Sequence, residues 1–152
     1  MTLYKRLLSG CAIVACMTVA RAEVVAPGEV SIENLRIDRP LTTQAGDPVE
    51  GRKVFADRTL GNCLACHVNS DLSEELFHGE IGPALDGVAA RWQPEQLRTI
   101  VVNAKAVFTD ESIMPGFYSL EVGENVREDL IGVTILTAQQ VEDVVAYLGT
   151  LQ

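Results

Sequence analysis

The sequence predicts a small all-α domain with long loops, on three helix signals separated by irregular chain. The first signal is Asp47, Pro48, Val49 and Glu50: a capping carboxylate, a proline suited to the first helical position, and a glutamate that completes a capping box. Gly51, Val54 and Phe55 fall on one face of this helix, which runs out near Leu60 and Gly61. The second begins at Pro94, with Leu97, Ile100, Val101 and Ala104 as its buried stripe. The third follows a capping box at Thr137 and Gln140, and its Val141, Val144, Val145 and Leu148 recur at i, i+3, i+4 and i+7. Gly51 would let the first and last helices approach closely, with Phe55 and Tyr147 filling the crossing. The β-branched run from Leu130 to Leu136 reads as a short strand, paired with part of residues 118–126.

Ahead of these helices, residues 23–46 are broken by Pro27, Gly28, Pro40 and Gly46. They read as an N-terminal extension without its own core, either a mobile tail or an arm that packs on a partner. Residues 1–22 read as an export signal: Lys5 and Arg6 form the basic region, residues 7–20 are apolar, and Ala20 and Ala22 supply the small cleavage positions. Cleavage after Ala22 leaves residues 47–152 as the folded domain and places the protein in a periplasm. A lipoprotein-like Leu8, Ser9, Gly10, Cys11 stretch has only Leu7 and Leu8 as apolar sequence ahead of Ser9, too little to engage export. Once the signal is gone no segment remains that would span a membrane.

The chain holds 12 Lys and Arg against 21 Asp and Glu, for a formal charge of −9. Losing Lys5, Arg6 and Arg21 with the signal takes this to −12. Such a surface excludes nucleic acid and anionic membrane as partners and suits a basic docking face on another protein. Acidity that merely keeps an exported protein soluble explains the same number.

Cys63, Leu64, Ala65, Cys66 and His67 carry the chemistry. Two thiols three residues apart can reach the two vinyl groups on one haem edge, and the following histidine then lies under the iron. This is the attachment pattern of one covalently bound haem c. A zinc site would need a second Cys/His pair, and no cysteine lies downstream. A redox dithiol would not require the adjacent histidine, and no βαβ pattern surrounds this one. With Cys11 and Cys16 removed in the signal, both remaining cysteines are committed to haem.

The second iron ligand follows by elimination. His78 and Met114 are the remaining histidine and methionine of the mature chain, with lysine a less common choice. Met114 lies 47 residues beyond His67, far enough to wrap to the other haem face, and Pro115 keeps its backbone extended. His78 stays on the proximal side of the chain's path and reads as a solvent-facing loop histidine. His67 and Met114 are therefore the expected metal ligands, an arrangement that favours ferrous iron and closes the site to small molecules.

Taken together, Gly51 and Phe55, Cys63 to His67, Gly82 to Leu85, Met114 with Pro115, and Tyr147 in the last helix resemble class I cytochromes c. The resemblance implies that the Pro83 carbonyl accepts a hydrogen bond from the His67 imidazole, and that Arg91 and Trp92 sit beside the haem propionates. Longer stretches are similar to the SoxX family: Gly82 to Val88, Arg91 and Trp92, Val101 to Lys105, Ile113 to Tyr118, and Val141 to Leu148. That similarity implies a heterodimer with a SoxA-like cytochrome subunit, acting on a SoxYZ-like carrier and passing electrons to a downstream acceptor. It also implies that the catalytic cysteine, and with it thiosulfate conjugation, belongs to the partner. A free-standing cytochrome c that shuttles between redox enzymes is the alternative, and a peroxidase-like enzyme would need an open sixth position.

Overall fold

The computed structural model describes residues 23–121 and 125–152. The expected export signal at residues 1–22, with cleavage after Ala22, lies outside these residues, as does part of the expected strand partner at 118–126. Among the described residues, four α-helices form the frame: α1 (Pro48–Ala56), α2 (Val88–Arg91), α3 (Pro94–Asn103) and α4 (Ala138–Leu148). Short 3-10 turns and loops join them.

Local chemistry sets the helix starts. Asp47 accepts from the Val49 amide at 2.8 Å, with Pro48 in the first turn. Glu50 does not complete the box; its carboxylate pairs with Lys53 instead. At α4 the Thr137 hydroxyl accepts from the Gln140 amide and the Gln140 side chain accepts from the Thr137 amide, so the expected box is present.

The α1–α4 crossing depends on a missing side chain. A Cβ on Gly51 would fall 1.9 Å from the Asp143 carbonyl oxygen, and one on Gly46 would fall 2.2 Å from that of Glu142. Beside this contact the Phe55 and Tyr147 rings meet edge to face, their centroids 5.5 Å apart. α3 packs on α4, and Leu97, Val101 and Val102 share one buried core with Val141, Val144 and Val145.

Residues 23–46 pack on this chain's own helices. Ile37 and Leu41 enter the core. The Arg98 guanidinium meets the Glu142 carboxylate in a fork of 2.8 and 2.9 Å, with both side chains under a tenth exposed. Arg98 also donates to the Ile37 carbonyl at 2.8 Å, and Glu142 accepts from the Leu41 amide at 2.8 Å. The desolvation of this ion pair is offset by backbone bonds that hold the extension in place.

No strand forms between Leu130 and Leu136. Residues Glu128–Leu130 make a 3-10 turn, and Gly132 has φ +75°, incompatible with extended pairing. Ile131 and Val133 are exposed while Leu136 is buried and Ile135 packs on the core, so the run does not show one alternating buried face. Among the described residues, the Leu136 amide links it to the preceding loop by donating to the Phe117 carbonyl at 2.9 Å.

Candidate functional site

A single helical turn arranges the attachment motif. Cys63–Ala65 is a 3-10 turn, and the amides of Cys66 and His67 both donate to the Cys63 carbonyl, at 3.1 and 3.0 Å. That winding places Cys63, Cys66 and His67 on one side, at i, i+3 and i+4. Gly61 precedes it closely enough that a Cβ there would lie 3.1 Å from the Cys63 sulfur.

His67 is held on two sides. Its Nδ1 lies 2.7 Å from the Pro83 carbonyl oxygen, which can only accept, so Nδ1 carries the proton and Nε2 the free lone pair. Gly82 lies flat against the ring: a Cβ there would be 2.3 Å from Cε1. The Gly82 amide donates back to the Cys66 carbonyl at 2.8 Å, so the motif and the Gly82–Pro83 turn brace each other.

These groups border a cavity of about 650 Å³, open at one side, whose walls include Phe55, Leu97, Val101, Phe117, Val144 and Leu148. Met114 borders the same cavity, half-buried, from the loop beyond α3. That loop is fixed by backbone bonds from Phe117 to Val101 (3.2 Å) and from Tyr118 to Val102 (3.3 Å). On its other side the Lys105 ammonium donates to the Asp110 and Ser112 carbonyls, at 2.6 and 2.7 Å.

Arg91 and Trp92 both border the cavity. Arg91 donates to the carbonyls of Asp86 (3.0 Å) and Ala84 (2.8 Å), so it braces the loop that carries Pro83. Trp92 is half-buried and meets the Phe108 ring edge to face at 6.0 Å. The brace was not legible in the sequence, because both of its acceptors are backbone atoms.

His78 is not a solvent-facing histidine. It is half-buried; Nδ1 accepts from the Asn69 amide at 3.3 Å, which leaves Nε2 to donate to the Leu72 carbonyl at 3.1 Å. With both ring nitrogens engaged by the backbone, it staples the loop after the attachment motif. It is not among the residues that border the cavity.

The chemistry of the donors fits haem c. Burial pushes the Cys63 thiol up to about 12, the opposite direction from the lowered values of reactive redox cysteines. Among the described residues no three His, Cys, Asp or Glu side chains converge as a metal cluster would require. What remains is an apolar cavity in the roughly 300–1,000 Å³ range of cofactor sites, bordered by two thiols, one oriented imidazole and one thioether. Cys63 and Cys66 would hold such a group covalently, with His67 and Met114 toward its iron.

Comparison with known proteins agrees with this geometry. The cytochrome c family profile matches residues 48–152. A solved structure described as SoxXA from P. pantotrophus matches with a TM-score of 0.77 and 41% identity, covering 83% of this chain and 96% of that one. A search of curated proteins finds no match. By its sequence, its helical frame and its haem-binding cavity, the chain belongs to the cytochrome c family and is SoxX-like within it.

Proposed function

We propose that the chain is the electron-transfer haem subunit of a periplasmic SoxXA-type complex, paired with a SoxA-like cytochrome. That complex would oxidatively conjugate thiosulfate to a cysteine of a SoxYZ-like carrier and hand the electrons to a downstream acceptor. The observation that carries this reading is the 41% identity across nearly the whole of a chain in the SoxXA structure. Cys63, Cys66, His67 and Met114 around one apolar cavity support it.

Haem c, when bound, supplies a one-electron couple. The residues of this chain do the rest. Cys63 and Cys66 bind the group, and the Pro83 carbonyl orients His67 and makes its free nitrogen a stronger donor. Met114 supplies a soft sulfur ligand that favours the reduced state. Phe55, Leu97, Val144 and Leu148 keep water from the buried side. Arg91 and Trp92 border the cavity, where they would face the haem propionates.

Joining a thiolate to thiosulfate forms one S–S bond and releases two electrons. With the export signal removed after Ala22, Cys63 and Cys66 are the chain's cysteines, and both are committed to the cofactor. No thiol is left here to hold a sulfur intermediate, so the reacting cysteine belongs to the partner. Purification of the tagged chain from the native periplasm tests this. It should bring down a second c-type cytochrome chain in equal amount; recovery as a lone monomer at micromolar concentration would return the assignment to a free-standing electron carrier.

A further inference from the structure

The Tyr118 side chain joins the extension at residues 23–46 to the Met114 loop. The Tyr118 hydroxyl, four residues beyond Met114, donates to the Val25 carbonyl at 2.7 Å. Tyr118 itself is buried, at 5% exposure. The Val25 amide in turn donates to the Leu41 carbonyl at 2.8 Å, so residues 25 and 41 are locked together. Leu41 is fully buried, and its amide ends on Glu142, the partner of Arg98. A further tie runs from the Thr42 hydroxyl to the Gln139 side chain at 2.7 Å. A continuous path of short bonds therefore joins the buried ion pair on α3 and α4 to the backbone just past the thioether.

We infer that residues 23–46 are a strap that positions the Met114 loop through the Tyr118–Val25 bond, with Tyr118 as a positioning residue for the sixth iron ligand. The inference rests on the assignment of Met114 as that ligand. Two features make the strap necessary. The loop between α3 and Met114 is tied on its near side by Lys105, which holds carbonyls before the ligand but nothing after it. After the ligand, the Phe117 and Tyr118 amides reach α3 through bonds of 3.2 and 3.3 Å, at the long end of the backbone range. The Leu136 amide also holds the Phe117 carbonyl at 2.9 Å, and the Tyr118 hydroxyl bond at 2.7 Å ties this side to residues 23–46.

Losing one such bond, worth roughly 1 kcal/mol, raises the open population of the loop about fivefold. The test uses the haem-loaded ferric protein and free imidazole, which enters only when the sulfur ligand leaves. Tyr118→Phe keeps the ring and removes the hydroxyl. It should speed imidazole binding about fivefold, read as bleaching of the weak near-red sulfur-to-iron absorption. Thr42→Val, which loosens the strap away from the loop, should speed it to a smaller extent. Tyr147→Phe removes a buried hydroxyl outside the strap and should leave the rate unchanged. Equal rates in Tyr118→Phe and the unaltered protein overturn the strap, as does a Tyr147→Phe effect as large as that of Tyr118→Phe. Absence of the near-red absorption in the unaltered protein would instead remove Met114 as ligand, and the strap's purpose with it.

Discussion

His67 and Met114 differ in how much of their environment is built for them. The imidazole is fixed by a carbonyl at 2.7 Å and a glycine pressed on its face, so its orientation is set before any cofactor arrives. The thioether lies on a loop, held from its flanks rather than by its own sulfur. His78, the competing ligand by composition, has both nitrogens bonded to the backbone and would have to abandon Asn69 and Leu72 to reach iron. Met114→Ala should therefore abolish the near-red absorption and lower the reduction potential on the order of 0.1 V, a fraction of the ~0.8 V that axial ligands span. His78→Ala should leave both unchanged while costing about 1 kcal/mol of stability. A larger spectral change in His78→Ala would exchange the two roles. The attachment motif was legible because its residues are contiguous and their spacing is itself the chemistry. His78 was not, because nothing in a sequence marks a histidine whose partners are peptide groups.

Between elements, Tyr147 on α4 does more than fill the crossing with α1. Its hydroxyl donates to Asp71 at 2.7 Å and accepts from the buried Asn69 amide at 2.9 Å, while Arg52 on α1 reaches Asp71 at 3.0 Å. The Tyr147 hydroxyl, and after it the Arg52 guanidinium, hold the Asp71 carboxyl below its ordinary value of 3.8. Burial, together with that carboxylate, raises the Tyr147 phenol above its ordinary 10. The signs follow directly. A lowered carboxylate stabilises the fold fully above 3.8 and loses this as pH falls through its folded value. A raised phenol stabilises fully below 10 and loses this as pH rises through its own. Tyr147→Phe should cost about 2 kcal/mol at pH 7, since it also strands the Asn69 amide, and should flatten the loss of stability toward about pH 3. Urea denaturation of the haem-loaded protein at both pH values measures this, and an unchanged acid slope would contradict it. The crossing was readable in advance because glycine, phenylalanine and the two helix starts are local signals. The Arg98–Glu142 pair was not, since its members lie 44 residues apart and look like ordinary surface charges. For the same reason residues 23–46 looked coreless: Ile37 and Leu41 find their core in helices that come later in the chain. The misread strand at 130–136 shows β-branched propensity yielding to a turn at Gly132, with Ile131 and Val133 left in solvent and only the end of the run, at Ile135 and Leu136, packed on the core.

At the scale of the molecule, the chain is strongly acidic, and the border of its apolar cavity includes the exposed Ile81 and Ile113. That charge suits a basic docking face on another protein, and the exposed apolar residues lie beside the cavity. The cavity walls and the Met114 loop suit electron transfer rather than substrate binding, and no described thiol lies outside the attachment motif. The central claim is that this subunit moves electrons for a reaction whose sulfur chemistry happens elsewhere. The most direct measurement follows ferrous absorbance of the purified, haem-loaded chain mixed with thiosulfate and a thiol-bearing carrier. Alone, the chain should show no thiosulfate-dependent reduction. Adding a SoxA-like partner with its reactive cysteine should bring reduction of the haem on this chain, and replacing that cysteine should remove it. Robust thiosulfate-dependent reduction by the isolated chain, or no response when the partner is added, would contradict the account.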